Sequence, residues 1–325
     1  MSDTSESTRE SKARSVATST TNTPSHHLSA FSSQYQTGLL FALVGCVLFS
    51  LKPIFVKLAY QAGGDATSIM ALRAFSSLPF YLVTLVFLCR KQTTRIKLRS
   101  HGFKAAMIGV LGYYMASFLD ISALSYISAQ LERLLIFLFP SFVVLISWVI
   151  HRQPPTRTII AATFVGYAGT ALILAQDLQT LGSSVGLGAL LAVSSAFVFA
   201  IYLVASKPLI GALGSSLFTS VGMGCAGIAI LIHLYFNGAD IRTWSVELIG
   251  IGVALGLFCT VLPSYFVAAA MARLSPTELS LTNNLGPAIT AAGAVLILGE
   301  LFTVWHAIGM GLVIFSVVMI NRTKK

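Results

Sequence analysis

Charge is what this sequence has least of. Only 10% of its 325 residues are Asp, Glu, Lys or Arg, where a soluble domain carries about a quarter. Cysteine is equally sparse. Cys46, Cys89, Cys225 and Cys259 show no CxxC spacing and fall in or at the ends of apolar stretches, so they read as small core residues rather than zinc or redox ligands. No HExxH, GxSxG or phosphate-loop motif occurs, and His101, His151, His233 and His306 are scattered along the chain. Metal-dependent and nucleophilic hydrolase chemistry both need such groups converging at set spacings. The expectation is therefore no enzyme, no metal site and no cofactor.

Apolar runs fill the space that charge leaves. Hydrophobic residues make up 55% of the chain and the mean hydropathy is +0.82. Ten apolar segments of about 17 to 25 residues can be counted, the length that crosses a hydrocarbon core of about 30 Å. They run near 37–60, 66–89, 105–123, 128–150, 157–176, 185–206, 214–236, 248–271, 277–298 and 304–320. The predicted class is an all-α integral membrane protein with ten transmembrane helices, whose standing partner is the lipid bilayer.

The formal charge of +10 would suit a nucleic-acid partner, but the placement of the basic residues argues against one. Arg90, Lys91, Arg95, Lys97, Arg99 and Lys104 crowd one loop, and Arg152, Arg157, Lys207, Arg273, Arg322, Lys324 and Lys325 fall at every second later boundary. The boundaries between carry Asp65, Asp177 and Asp240, with Arg242 the one basic residue. This is the positive-inside asymmetry, and it predicts both termini in the cytoplasm of a cell with the chain in its inner or plasma membrane. Residues 1–36, rich in Ser and Thr and mixed in charge, bury too little apolar surface to order themselves and read as a disordered cytoplasmic tail.

Within the apolar segments a few charges remain. The first carries Lys52, Pro53 and Lys57, the second Arg73 and Pro79, the third Tyr113, Tyr114 and Asp120, and the fourth Glu132, Arg133 and Pro140. Each buried charge costs about 3 kcal/mol at mid-bilayer, so these side chains should face protein or water. By helix rise they occupy one slab, roughly 5 to 12 Å below the outer surface. Lys57 lies near enough to that surface to snorkel; Lys52 does not.

The chain also repeats itself. Gly38, Leu40, Ala42, Phe49 and Lys57 match Gly188, Leu190, Ala192, Phe199 and Lys207 at an offset of 150 residues. Ala123, Ser128, Leu134, Leu138 and Pro140 match Ala270, Ser275, Leu281, Leu285 and Pro287 at an offset of 147. Two repeats follow, 37–176 and 185–321, each of five helices. Five is odd, so the second enters the membrane from the opposite side. Inverted repeats are a recurring architecture of secondary transporters, which bind cargo at the repeat interface and alternate access by rocking the halves.

With SLKPIFVKLAY, ALSYISAQLERLLIFLFPSF and the Gly299-Glu300 pair in view, the chain resembles the EamA-type drug/metabolite transporter superfamily from about residue 37 to 321. The shared features are the lysine near the end of the first helix of each half (Lys57, Lys207), the proline of the fourth (Pro140, Pro287) and the Gly-Glu turn. His151 and Arg152 replace that turn in the first half. The resemblance implies transport of a small molecule, without specifying which.

Candidate substrate-binding residues are Lys52, Arg73, Tyr114, Glu132, Arg133, Tyr202, Tyr265, Asn283 and Asn284. Glu132 would hold a proton or a substrate amine, and Arg133 an anion; protons are the candidate coupling ion. The competing structural reading pairs Glu132 with Arg73 or Lys52, and Arg133 with Asp120. Three cations against two acids leave one positive charge over, which leans toward an anionic or zwitterionic cargo. Tyr202 occupies the place of Lys52 in the second repeat, and Tyr265 follows Pro263 and Ser264; such aromatics line cavities or pack cores. Asn283 and Asn284 match Ile136 and Phe137 and can bind substrate or join helices. Glu278 suits a helix cap. The expected function is a permease exporting amino acids or related organic anions, with a multidrug or organic-cation efflux carrier, or a channel or membrane scaffold, as alternatives.

Overall fold

A computed structural model describes residues 25–152, 154–238, 241–271, 273–274, 282–283 and 285–323. Residues 1–24 of the tail, and Asp240, Ser275, Glu278, Leu281 and Asn284, lie outside the described residues. Among the described residues, eight helices are long and apolar enough to cross a membrane: α1 (Gln34–Gln61), α2 (Ala66–Leu88), α3 (Gln92–Ala123), α4 (Ala129–Ile150), α5 (Arg157–Leu181), α6 (Val185–Leu213), α7 (Ser215–Phe236) and α8 (Val246–Val267). Two shorter apolar helices follow, α9 (Gly286–Leu298) and α10 (Val304–Met319). Helical structure ahead of α1 begins at Ser25, upstream of where the apolar run starts.

Proline decides where the helices break. Leu51 interrupts α1 just before Pro53, and α4 is two pieces, Ala129–Ile136 and Phe139–His151, with Pro140 in the first turn of the second. Pro287 holds the same place in α9. A proline removes one backbone donor and clashes with the preceding turn, so each helix restarts at or near it.

Packing repeats the internal symmetry read from the sequence. Helix α1 packs on α8 and α9, while α6 packs on α3 and α4; α2 meets α8, and α7 meets α3. The pairs α2–α7, α4–α9 and α5–α10 each join a helix to its own counterpart. Exchanging α1–α5 for α6–α10 leaves this pattern unchanged. Even a local irregularity recurs, since α3 contains a π-helical turn at Val110–Met115 and α8 one at Leu257–Val261.

Between helices in lipid there is no hydrophobic drive, so association depends on close van der Waals contact. Glycine supplies it at equivalent places. A β-carbon on Gly109 of α3 would stand 2.1 Å from Cα of Gly222 on α7, and one on Gly256 of α8 would stand 1.8 Å from Oγ of Ser76 on α2. The interior holds Ile69, Met70, Ile121 and Leu255 among α2, α3 and α8, and Ile127, Leu131, Ile173 and Val313 among α4, α5 and α10. Outward faces keep large apolar side chains, such as Val83, Phe164 and Leu296, exposed.

Candidate functional site

The connection Leu124–Ser128 is so short that α4 returns beside the end of α3. That brings Glu132 back to the depth of Asp120, and both are buried to 2% exposure. Lys52, from the break in α1, contacts Asp120 Oδ2. The Asp120 and Glu132 carboxyl groups lie within hydrogen-bonding reach of each other. Arg133 donates from one terminal nitrogen to Ser50 Oγ at 3.3 Å and stacks over the Phe137 ring at 5.2 Å. Arg73 is buried on α2, close enough to Asp120 to feel its charge.

Asp120 is thus the hub of the group. The pairings of the structural reading are rearranged: Lys52 rather than Arg133 holds Asp120, and Glu132 faces that second acid, with neither Arg73 nor Lys52 within ion-pair distance of it among the described residues. Among the described residues, the ion-pair contacts are Lys52–Asp120 and a longer His306–Asp177 contact at 4.0 Å. Neither guanidinium therefore has a carboxylate within ion-pair distance among these residues. Arg73 lines a cavity of about 20 Å³ with Ser77, Tyr113 and Thr260, room for one water with polar partners.

Helix α4 is held at its start by side chains from distant parts of the chain. Glu300 accepts from the backbone N–H of Ala129 at 2.8 Å, from that of Gln130 at 3.4 Å and from Gln130 Nε2 at 3.3 Å. Asp177 Oδ2 accepts from the N–H of Ser128 at 3.1 Å, and Ser128 Oγ from that of Leu131 at 3.0 Å. These are the donors that a helix N-terminus leaves without intrahelical partners, and negative charge there also suits the helix dipole. Gly299 makes the geometry possible with φ of 68°, a left-handed turn that aims Glu300 back at α4. Lys57 is near enough to Glu300 and Asp177 to feel their charge, with neither within ion-pair distance among the described residues. The anchored helix carries Glu132 and Arg133 in its first two turns.

The remaining candidates lie apart. Tyr114, in the π-turn of α3, bonds His233 Nδ1 at 3.0 Å and packs near Phe118. Tyr202 is buried, donates to the Tyr113 hydroxyl at 2.8 Å and stacks with Phe199 and Phe218. Tyr265 is 46% exposed and bonds the Thr84 hydroxyl at 2.8 Å. Asn283 is half-buried, with its carbonyl 4.0 Å from Cys46 Sγ. From the sequence, Asp120 was only a pairing partner, Asp177 only a loop charge and Glu300 only half of the Gly-Glu turn, and Gln130 had no role. One signal was available for Asp120: it and Glu132 are equally far from Tyr126, the middle of a short connection.

A bundle of apolar helices long enough to cross a membrane, with buried charges among them, fits an integral membrane protein. The chain belongs to the EamA-like transporter family, whose profile matches residues 36–175 and 186–322, one match per repeat. It is 26% identical over 286 residues to the "Uncharacterized transporter YcbK" of Bacillus subtilis (strain 168), covering 86% of this chain and 91% of that one. A Clostridium kluyveri protein named "Uncharacterized transporter" is 24% identical over 301 residues, covering 89% and 94%. A solved crystal structure 19% identical in sequence superposes with a TM-score of 0.58, over 87% of this chain and 96% of that one; that likeness concerns the fold alone.

Proposed function

We propose that the chain is a ten-helix carrier of two inverted five-helix repeats, moving a small anionic or zwitterionic metabolite, an amino acid or related organic anion, by alternating access. The two shorter helices α9 and α10 supply the ninth and tenth crossings in this reading. An odd number of crossings per repeat inverts the second, in keeping with the basic loops at alternate boundaries, and leaves both termini on the cytoplasmic side of the plasma or inner membrane. The exchange symmetry of the helix contacts supports two packings related by swapping the roles of the halves. A cargo that binds one packing better than the other suffices to shift between them.

One observation carries the cargo class. Among the described residues, Arg73 and Arg133 enter the buried group without a carboxylate of their own, and the Arg133 Nε has no hydrogen-bond partner. A guanidinium is planar, permanently charged and suited to carboxylate. An unpaired one at this depth is costly unless a ligand completes it.

A thermal-shift screen of the purified protein against amino acids, organic anions, sugars and cationic drugs tests the reading, run in parallel with Arg133→Gln. A ligand at 100 times its dissociation constant stabilises the native state by about 2.7 kcal/mol. Anionic or zwitterionic compounds are expected to raise the melting point of the wild type and not of the variant. Stabilisation of both proteins by cations or neutral drugs would overturn it.

A further inference from the structure

Two carboxyl groups that face each other in a dry interior need something between them. Asp120 and Glu132 meet this description, each at 2% exposure. Their side chains lie within hydrogen-bonding reach of each other, yet Asp120 Oδ1 and Glu132 Oε2 have no donor among the described residues. An ionised carboxylate only accepts, so two ionised groups here can form no bond with each other. They would also repel, and like charges sharing a site resist double ionisation. One proton removes both problems, because the protonated carboxyl becomes an O–H donor to its neighbour and a single negative charge remains for Lys52 to balance.

We propose that Asp120 and Glu132 hold one exchangeable proton between them, with Lys52 as the fixed counter-charge, and that this dyad is the proton-binding site of the carrier. The inference rests on the carrier reading for its role in transport, and on the geometry alone for the shared proton. The charged and titratable groups facing the dyad are Lys52 and Tyr60 from α1, Arg73 from α2 and Arg133 beside Glu132 on α4, with Cys46 of α1 beside Arg133 and Cys259 of α8 beside Lys52 and Arg73. Tyr60 donates its hydroxyl to the Ile121 carbonyl at 2.9 Å, so its proton is engaged elsewhere. Release of the dyad proton leaves a second negative charge, and Arg73 and Arg133 are the nearby cations that can answer it. Loading and unloading the proton therefore changes how much positive charge the site offers.

Infrared spectroscopy of the full-length chain in lipid nanodiscs reads the protonated carboxyl directly, without any cargo. At about pH 7, where a solvated carboxyl is fully ionised, the wild type should show a protonated-carboxyl band. Asp120→Asn and Glu132→Gln should each abolish it, because the lone acid left behind faces Lys52 and ionises. A band surviving in Asp120→Asn would place the proton on Glu132 by burial alone and overturn the shared dyad. Absence of the band from the wild type would overturn it without recourse to any variant. A dyad confirmed by infrared in a protein that binds none of the screened compounds would sink the cargo reading while the shared proton stands.

Discussion

Glu300 is the residue whose removal the structure prices most directly. It sits in the α9–α10 turn and caps α4 from the other repeat, taking the Ala129 N–H at 2.8 Å and two longer bonds from Gln130. A hydrogen bond to a charged group contributes about 1.5 to 3 kcal/mol, and a charge at a partly buried helix terminus about 1 kcal/mol more. The bonds from Gln130, at 3.4 and 3.3 Å, are long and add little. Glu300→Ala should therefore cost about 3 kcal/mol. Glu300→Gln keeps an acceptor and loses only the charge, and should cost about 1 kcal/mol. At about 2 °C per kcal/mol for a long chain, thermal unfolding in detergent should fall by about 6 °C and about 2 °C respectively. Glu247→Ala is the control: this exposed acid in the first turn of α8 should change stability by no more than about 0.5 kcal/mol. The capping account is refuted if Glu300→Ala melts with the wild type, or if the Ala and Gln variants lose the same amount.

Other consequences follow from single contacts. Lys52→Met strips the counter-charge from buried Asp120 and should destabilise by about 3 to 5 kcal/mol, with much of the loss recovered in the double variant Lys52→Met, Asp120→Asn; equal losses in both would show the pair is not coupled. Gly256→Val drives a side chain into Ser76, and a melting point unchanged from wild type would refute the close α2–α8 approach. Asp65 caps α2 through a reciprocal bond pair with Ser68. Burial pushes its carboxyl up, but the bonds from Ser68 and the backbone pull harder, leaving it below the ordinary carboxylate range. Its folded value is thus depressed, so the stability it adds is present above about pH 4 and fades as pH falls through the lowered value. Asp65→Ala should cost about 1 kcal/mol at neutral pH, and the gap to wild type should close in acid; a constant gap would contradict the assignment.

The two matched halves, the membrane class and the shared level of Lys52 and Asp120 were legible because each leaves a linear trace. Pro140 and Pro287 share a residue type at one offset, and helix rise alone puts Lys52, Asp120 and Glu132 at similar depth. Which charge meets which was not legible, because neighbours on α3 and α4 are chosen by helix rotation and by a break at Leu51. The role of Glu300 was hidden for a different reason. Its partners lie some 170 residues away, and the groups it satisfies are backbone N–H donors, which every sequence carries and none displays. Tyr202 shows how little a repeat match decides alone: its alignment with Lys52 left a cavity wall or a core position open, and the structure packs it against Phe199 and Phe218.

Counterflow into proteoliposomes tests the central claim most directly, using labelled amino acids and organic anions with the same compound unlabelled inside, for wild type and Arg133→Gln. A carrier whose unpaired guanidiniums bind its cargo predicts saturable uptake of an anionic or zwitterionic compound, accelerated from the opposite side and lost in the variant. Uptake that neither saturates nor accelerates, or that favours cations equally in both proteins, would contradict it.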